Sequence, residues 1–168
     1  MRTVMRTLVM ALLGTAVAAQ SLRDLIMGTE QISQFRVALE RTGYLEQILN
    51  ELNDPDMVYT VLAPSNEAID GNVYFQTYMK GIHENPPRWH YHIERATRHH
   101  ILDGVALNTT QIFDQSKDVH YSLEGPVPVS HFFNVIGGAS IQVSNLKAAN
   151  GFLHIIDKVI EAPFFITL

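Results

Sequence analysis

Apolar residues recur at three- and four-residue spacing over the first two-thirds of the chain and at two-residue spacing over the last third. That switch in period predicts helices first and strands later. Ile32, Phe35 and Leu39, flanked by Val37 and Ala38, lead into Tyr44, Leu45, Ile48, Leu49 and Leu52. The spacing predicts two helices broken at Gly43, with Ser33 as cap of the first. Met57–Ala63 is rich in β-branched and apolar residues and stops at Pro64, so it is expected to be a strand. Ser65 or Asn66 can cap the helix that follows, where Glu67 suits the dipole and Ala68 and Ile69 face inward. A helix is expected over Val73–Ile82, and Pro86-Pro87 sets the start of another. There Trp89, Ile93, Ala96 and His100 share one face, which turns His100 toward the core.

Strands are predicted over Val119–Leu123, Val127–Val135 and Ser140–Leu146, separated by Gly-Pro and Gly-Gly turns. The last strand signal is Asn150–Ile160, opened by Asn150-Gly151, a pair that tolerates the positive φ of a tight hairpin turn. Phe152, His154, Ile156, Lys158 and Ile160 fall on one face, and Leu153, Ile155, Asp157 and Val159 on the other. Neither face is cleanly polar, so this is a central strand covered on both sides, in which a buried His154 or Asp157 needs hydrogen-bond partners. The fold class is α+β.

Residues 1–19 have the form of a secretory signal peptide: Arg2 and Arg6, an apolar run from Leu8 to Val17, then small residues around Ala18 and Ala19. The run is about ten residues long, against roughly 20 for a membrane span. Losing Arg2 and Arg6 takes the formal charge from −5 to −7, two positive charges fewer. Such an acidic chain is a poor ligand for nucleic acid. The remaining roughly 150 residues suit one domain. There is no cysteine, which excludes disulfides and thiol chemistry and leaves stability to packing. Asn108-Thr109-Thr110 is a glycosylation sequon at Asn108. The apolar tail at 164–168 is too short for a glycolipid-anchor signal, so a secreted protein with no stable membrane anchor is expected.

Three segments in fixed order resemble the fasciclin-like (fasciclin I type) family of extracellular domains. Tyr59–Ile69 is similar to the family's first signature, His99–Gly104 to its central Tyr-His signature with His99 in place of tyrosine, and Asn150–Ile160 to its closing signature, followed by Pro163. The resemblance covers residues 21–163. It implies a wedge-shaped β-sandwich core with helices packed around it, and a generally non-enzymatic role in cell adhesion or in association with extracellular matrix or cell wall. It also implies structural duties for the matching polar residues: His100 and His154 in the core, Thr60, Asn66 and Asp157 tying turns and strand ends, and Asn150 and Gly151 making the turn. In animal matrix members an Asp followed by an apolar residue is linked to integrin binding. Here that pair is Asn145-Leu146, without the carboxylate that would reach a hard cation. Asn145 and Leu146 are still the candidate adhesion contact, with Asn145 expected to cap a turn.

Candidate chemistry is sparse. Five of eight histidines, His83, His90, His92, His99 and His100, lie within eighteen residues. On a helix His92 and His99 are roughly 10.5 Å apart along the axis, too far to share one ion, so a pH-responsive surface cluster with one buried member is expected and no metal. No Ser-His-Asp order or carboxylate pair stands out, and neither enzymatic activity nor a cofactor is expected. The expected partner is a matrix or cell-wall component, with self-association as a route to bridging. The alternative is a carrier of an apolar small molecule, a pigment or lipid, in a groove lined by Phe132-Phe133, Trp89 and Phe164-Phe165.

Overall fold

In the computed structural model, residues 20–47, 49–50 and 57–162 are described. The expected leader at 1–19, Ile48, Leu52, Pro163 and Phe164-Phe165 lie outside that range. A capping box opens the described chain: Ser21 Oγ accepts from Asp24 N at 3.1 Å while the Asp24 carboxylate accepts from Ser21 N at 3.2 Å. This starts α1 (Leu22–Met27). A 3₁₀ turn, Glu30–Ile32, leads into α2 (Ser33–Thr42). The cap position of α2 is Ile32, not Ser33, because the turn carries the chain into the helix one residue earlier than the polar pattern suggests. Gly43, at φ 79°, ends α2 in the left-handed conformation, and α3 (Tyr44–Gln47) follows.

β1 (Tyr59–Pro64) is buried along its whole length. Ser65 caps α4 (Asn66–Asp70), its Oγ accepting from Ala68 N at 3.1 Å. Asn72 caps α5 (Val73–Glu84), and Pro86 and Pro87 form the first turn of α6 (Pro86–His99), where no intrahelical donor is needed. Short β2 (Ile101–Asp103) and α7 (Thr109–Ile112) precede the strand-rich part: β3 (Val119–Tyr121), β4 (Pro126–Ser130), β5 (Val135–Ile136), β6 (Ala139–Ala148) and β7 (Gly151–Ile156).

The strands form one mixed sheet in the order β2-β1-β7-β6-β5-β4-β3. β7 runs parallel to β1 and antiparallel to β6; the other pairs are antiparallel. A bridge between Leu102 and Ser122 brings the two ends of the sheet together without closing it. The period-two pattern sorts the core into two parts. Tyr59, Val61, Ala63, Leu153 and Ile155 face the helices and pack with Leu22, Phe35, Leu39 and Ile93. Leu62 and Ile156 face the other way and pack with Val127, Val129, Ile136 and Ile112, which come from the far end of the sheet and from α7. Both faces of β7 are thus covered, as its sequence requires.

Beyond shifts of one or two residues at other strand ends, three boundaries differ from expectation. The strand predicted over Val127–Val135 is two strands, because the chain turns through His131–Asn134, where Asn134 adopts φ 51°. The closing strand ends at Ile156, so Asp157 and Lys158 lie on a bend rather than on strand faces. β3 stops at Tyr121, because the chain reverses just beyond it: Ser122 and Gly125 exchange N–H···O bonds at 2.8 and 3.3 Å and close the hairpin, which places Leu123 in the turn.

Candidate functional site

Asn150 and Gly151 make the connection between β6 and β7, but not with a pair of positive φ angles. Only Gly151 is positive, at 150°. Its necessity comes from β1: a Cβ at Gly151 would lie 1.8 Å from the Tyr59 carbonyl oxygen, so only a bare backbone fits beside the parallel neighbour. Asn150, buried, reaches outward in sequence. Its Oδ1 accepts from Leu22 N at 2.8 Å and its Nδ2 donates to Leu49 O at 3.2 Å, while its backbone carbonyl accepts from Tyr59 N at 3.0 Å. One amide therefore fastens the start of α1 and the segment after α3 to the turn, and satisfies an orphan donor of α1 in the process.

His100 is fully buried at the end of α6, its ring 5.4 Å from that of Phe35. The Ile160 backbone N–H, which can only donate, points at Nε2 from 2.9 Å, so Nε2 is an acceptor and Nδ1 carries the proton given to Ala96 O at 2.7 Å. This neutral tautomer joins α6 to the segment after β7. Burial disfavours the cation and pushes the imidazole down to about 4.

His154 repeats the logic with the tautomer reversed. Asn145 N donates to Nδ1 at 3.2 Å and Nε2–H donates to Leu107 O at 2.9 Å. Burial lowers its pKa as well, the bond to Leu107 acting in opposition. Leu107 N in turn donates to Thr60 Oγ1 at 2.8 Å, and that hydroxyl donates to Val105 O at 2.8 Å. Thr60 on β1 and His154 on β7 thus hold the same loop, 105–107.

Asn145 occupies a bulge in β6 at φ 60°. Its Oδ1 accepts from Thr109 N at 2.9 Å and its Nδ2 donates to Thr109 Oγ1 at 3.1 Å, which ties β6 to the first turn of α7. Leu146 is half-buried and packs on the main core. Asn108 is the cap of α7, its Oδ1 accepting from Gln111 N at 3.0 Å; its Nδ2, the atom that would carry a glycan, makes no hydrogen bond among the described residues.

Asn66 and Asp157 are ties of the same kind. Asn66 does not cap its own helix; its Oδ1 accepts from Gln34 N at 3.0 Å and so caps α2, while its Nδ2 donates to Glu30 O at 3.1 Å. Asp157 Oδ1 accepts from Ser140 N at 2.7 Å and its N–H donates to Ser140 O at 3.0 Å, pinning the start of β6.

The histidine-rich stretch is dispersed by the fold. His83 Nδ1 lies 3.3 Å from an Arg41 nitrogen, His90 sits 3.9 Å from Glu94, and His92 stacks on Tyr78 at 5.3 Å. His99, buried and lowered in pKa by burial, contacts Ser122 Oγ at 3.1 Å. Among the described residues no three of His, Asp or Glu gather in a way that could hold an ion.

The apolar groove differs in composition from the expected one. Phe132 and Phe133 are exposed at a turn. Trp89 packs over Gly81, where any Cβ would meet its ring at 2.4 Å. A small cleft enclosing about 50 Å³ lies instead between α5, α6 and residues 159–162, lined by Tyr74, Phe75, Tyr78, His92, Arg95 and Glu161 among others. Sequence reasoning also missed the clasp in which Glu124 receives Arg95 at 2.5 Å and Arg98 at 3.4 Å, with Arg98 Nη2 donating to Leu123 O at 2.6 Å. Only the Glu94 and Arg98 spacing of four hinted that this face of α6 carries ion pairs.

A family model for the fasciclin domain matches residues 30–162. Among solved structures, the chain is similar to a FAS1 domain pair from the insect cell adhesion molecule fasciclin I, at 20% identity and a TM-score of 0.50. That match covers 82% of this chain and 47% of the other, so this chain spans about half the length of the matched structure. No curated protein sequence matches the chain.

Proposed function

The chain belongs to the fasciclin domain family, and from that premise we propose that it is an extracellular protein acting by surface contact with matrix or cell-wall material, without chemistry of its own. Fasciclin domains generally serve in cell adhesion and the extracellular matrix. The observation that carries the reading is the consumption of the motif's polar side chains by the scaffold. Thr60, Asn66, His100, Asn145, Asn150, His154 and Asp157 each spend at least one side-chain hydrogen bond on the backbone of another element. A side chain so committed is a poor nucleophile or base, and binding falls to the outer surface. The leader at 1–19 supports export, and Asn108, with its Nδ2 unbonded among the described residues, supports glycosylation there. Among the described residues no helix is long and apolar enough to cross a membrane.

The test is binding of the purified protein to isolated matrix and wall fractions. Retention above that of an unrelated acidic protein of equal size is expected, and no retention refutes the reading. The aromatic lining of the cleft, with Tyr74, Phe75, Tyr78 and His92 around it, favours a second reading, carriage of an apolar pigment or lipid. Absorbance and mass spectrometry of native material decide it: a colourless protein with no co-purified ligand removes that reading.

A further inference from the structure

Eight large hydrophobic residues are exposed among those described, and Val119, Tyr121, Phe132 and Phe133 are four of them, all on or beside one hairpin. The register explains the concentration. His120 pairs with Val127 and both point inward and are buried. The flanking cross-strand pairs, Val119 with Pro128 and Tyr121 with Pro126, must therefore point outward, and all four side chains are exposed. Beyond Ser130 the chain turns, placing Phe132 and Phe133 at 87% and 70% exposure in an edge-to-face pair with centroids 4.8 Å apart. Only three residues lie between Pro128 and Phe132, at most about 14 Å of chain, so the aromatic tip follows directly on the strand.

We propose that this outward face of β3–β4, with the Phe132-Phe133 tip, is the contact through which two copies of the chain associate about a two-fold axis. The exposed apolar area is on the order of 500–600 Å², at the upper end of what a monomer ordinarily displays and most of the roughly 800 Å² per partner of a stable interface. Charge selects the occupant. The chain is net acidic, so two copies repel except through an uncharged region, and none of these six residues is an Asp, Glu, Lys, Arg or His. The rim carries Lys117 and Asp118, one of each sign, so a two-fold contact need not oppose like charges. An anionic bilayer recruits Lys/Arg clusters, and none borders the patch. The surface is a sheet face and a projecting turn rather than a cleft, which disfavours a small ligand. The inference rests on the surface-contact reading for its purpose, since a single module bridges two objects only if it gains a second face, and pairing supplies one.

Because the chain has no cysteine, a single introduced one reports a self-contact cleanly. Phe132→Cys should oxidise to a covalent dimer much faster than Tyr91→Cys, whose site on α6 is also exposed, at 60%. Sedimentation velocity from about 1 µM to about 0.5 mM should show a monomer–dimer equilibrium for the wild type. A Tyr121→Ser/Phe132→Ser/Phe133→Ser variant should stay monomeric with an unchanged circular dichroism spectrum. Equal crosslinking of the two cysteine variants, or a wild type monomeric throughout, overturns the proposal; so does a monomer that instead binds phosphatidylcholine vesicles through this face. A monomer that still binds matrix fractions would sink the dimer and leave the surface-contact reading standing, whereas a dimer that binds none would do the reverse.

Discussion

Acidification should unfold this protein through His100, and the size of the effect can be worked from its surroundings. In the folded state Nε2 accepts the Ile160 N–H and Nδ1 donates to Ala96 O. Protonating Nε2 would set two donors face to face in a site without water access, so burial holds the imidazole at about 4 against an unfolded value of about 6.5. Between those values the unfolded chain binds more protons, so stability rises with pH across the window. The contribution is fully present above about pH 6.5, is lost progressively as pH falls through about 4, and totals about 3 kcal/mol. His154, also lowered by burial, changes stability in the same direction. The assay is urea denaturation of wild type and His100→Gln at several pH values from 7.5 to 4. Carboxylate titration is common to both, so the difference between the two pH profiles isolates His100. The variant should be less stable at pH 7.5 by about 1–3 kcal/mol, through its imperfect replacement of two buried hydrogen bonds. The gap should then close on acidification. Parallel profiles from pH 6.5 to 4 would refute the buried neutral imidazole.

Three further outcomes test the ties. Gly151→Ala should cost about 3 kcal/mol or more, or prevent folding, because its methyl would collide with the Tyr59 carbonyl; a thermal melt within about 2 °C of wild type would show that β1 and β7 can separate locally. Asn150→Ala leaves Leu22 N without its acceptor, while Leu49 O keeps the Arg23 N–H, and should cost about 1–3 kcal/mol, with amide exchange at Leu22 accelerated in proportion to the loss. His154→Ala should cost about 1–3 kcal/mol by urea denaturation and loosen the 105–107 loop, visible as faster exchange at Leu107 and Thr109.

Local chemistry decided much of this protein before any fold was considered. The apolar period placed α2, α5, α6, β1, β3 and β6, Gly43 and Pro86-Pro87 marked helix ends, and the lack of a cleanly polar face along Phe152–Ile156 named a central strand. Such features report only which faces must leave water, and a chain segment carries that information by itself. The tertiary structure decided who lies opposite. That β7 runs parallel to β1 explains why position 151 must be glycine, a reason no hairpin rule contains. Asn66 looks like a cap for the helix it begins, yet it caps α2, because a carbonyl oxygen serves whichever orphan N–H packing brings within 3 Å. Phe132 and Phe133 look like core in a list of apolar residues, but a turn at His131–Asn134 carries both into solvent. Periodicity is a property of neighbours in sequence. Partners across the sheet, the reach of one amide to a helix start and a distant turn, and the exposure of an aromatic pair depend on long-range closure, and that is settled only when the whole chain packs.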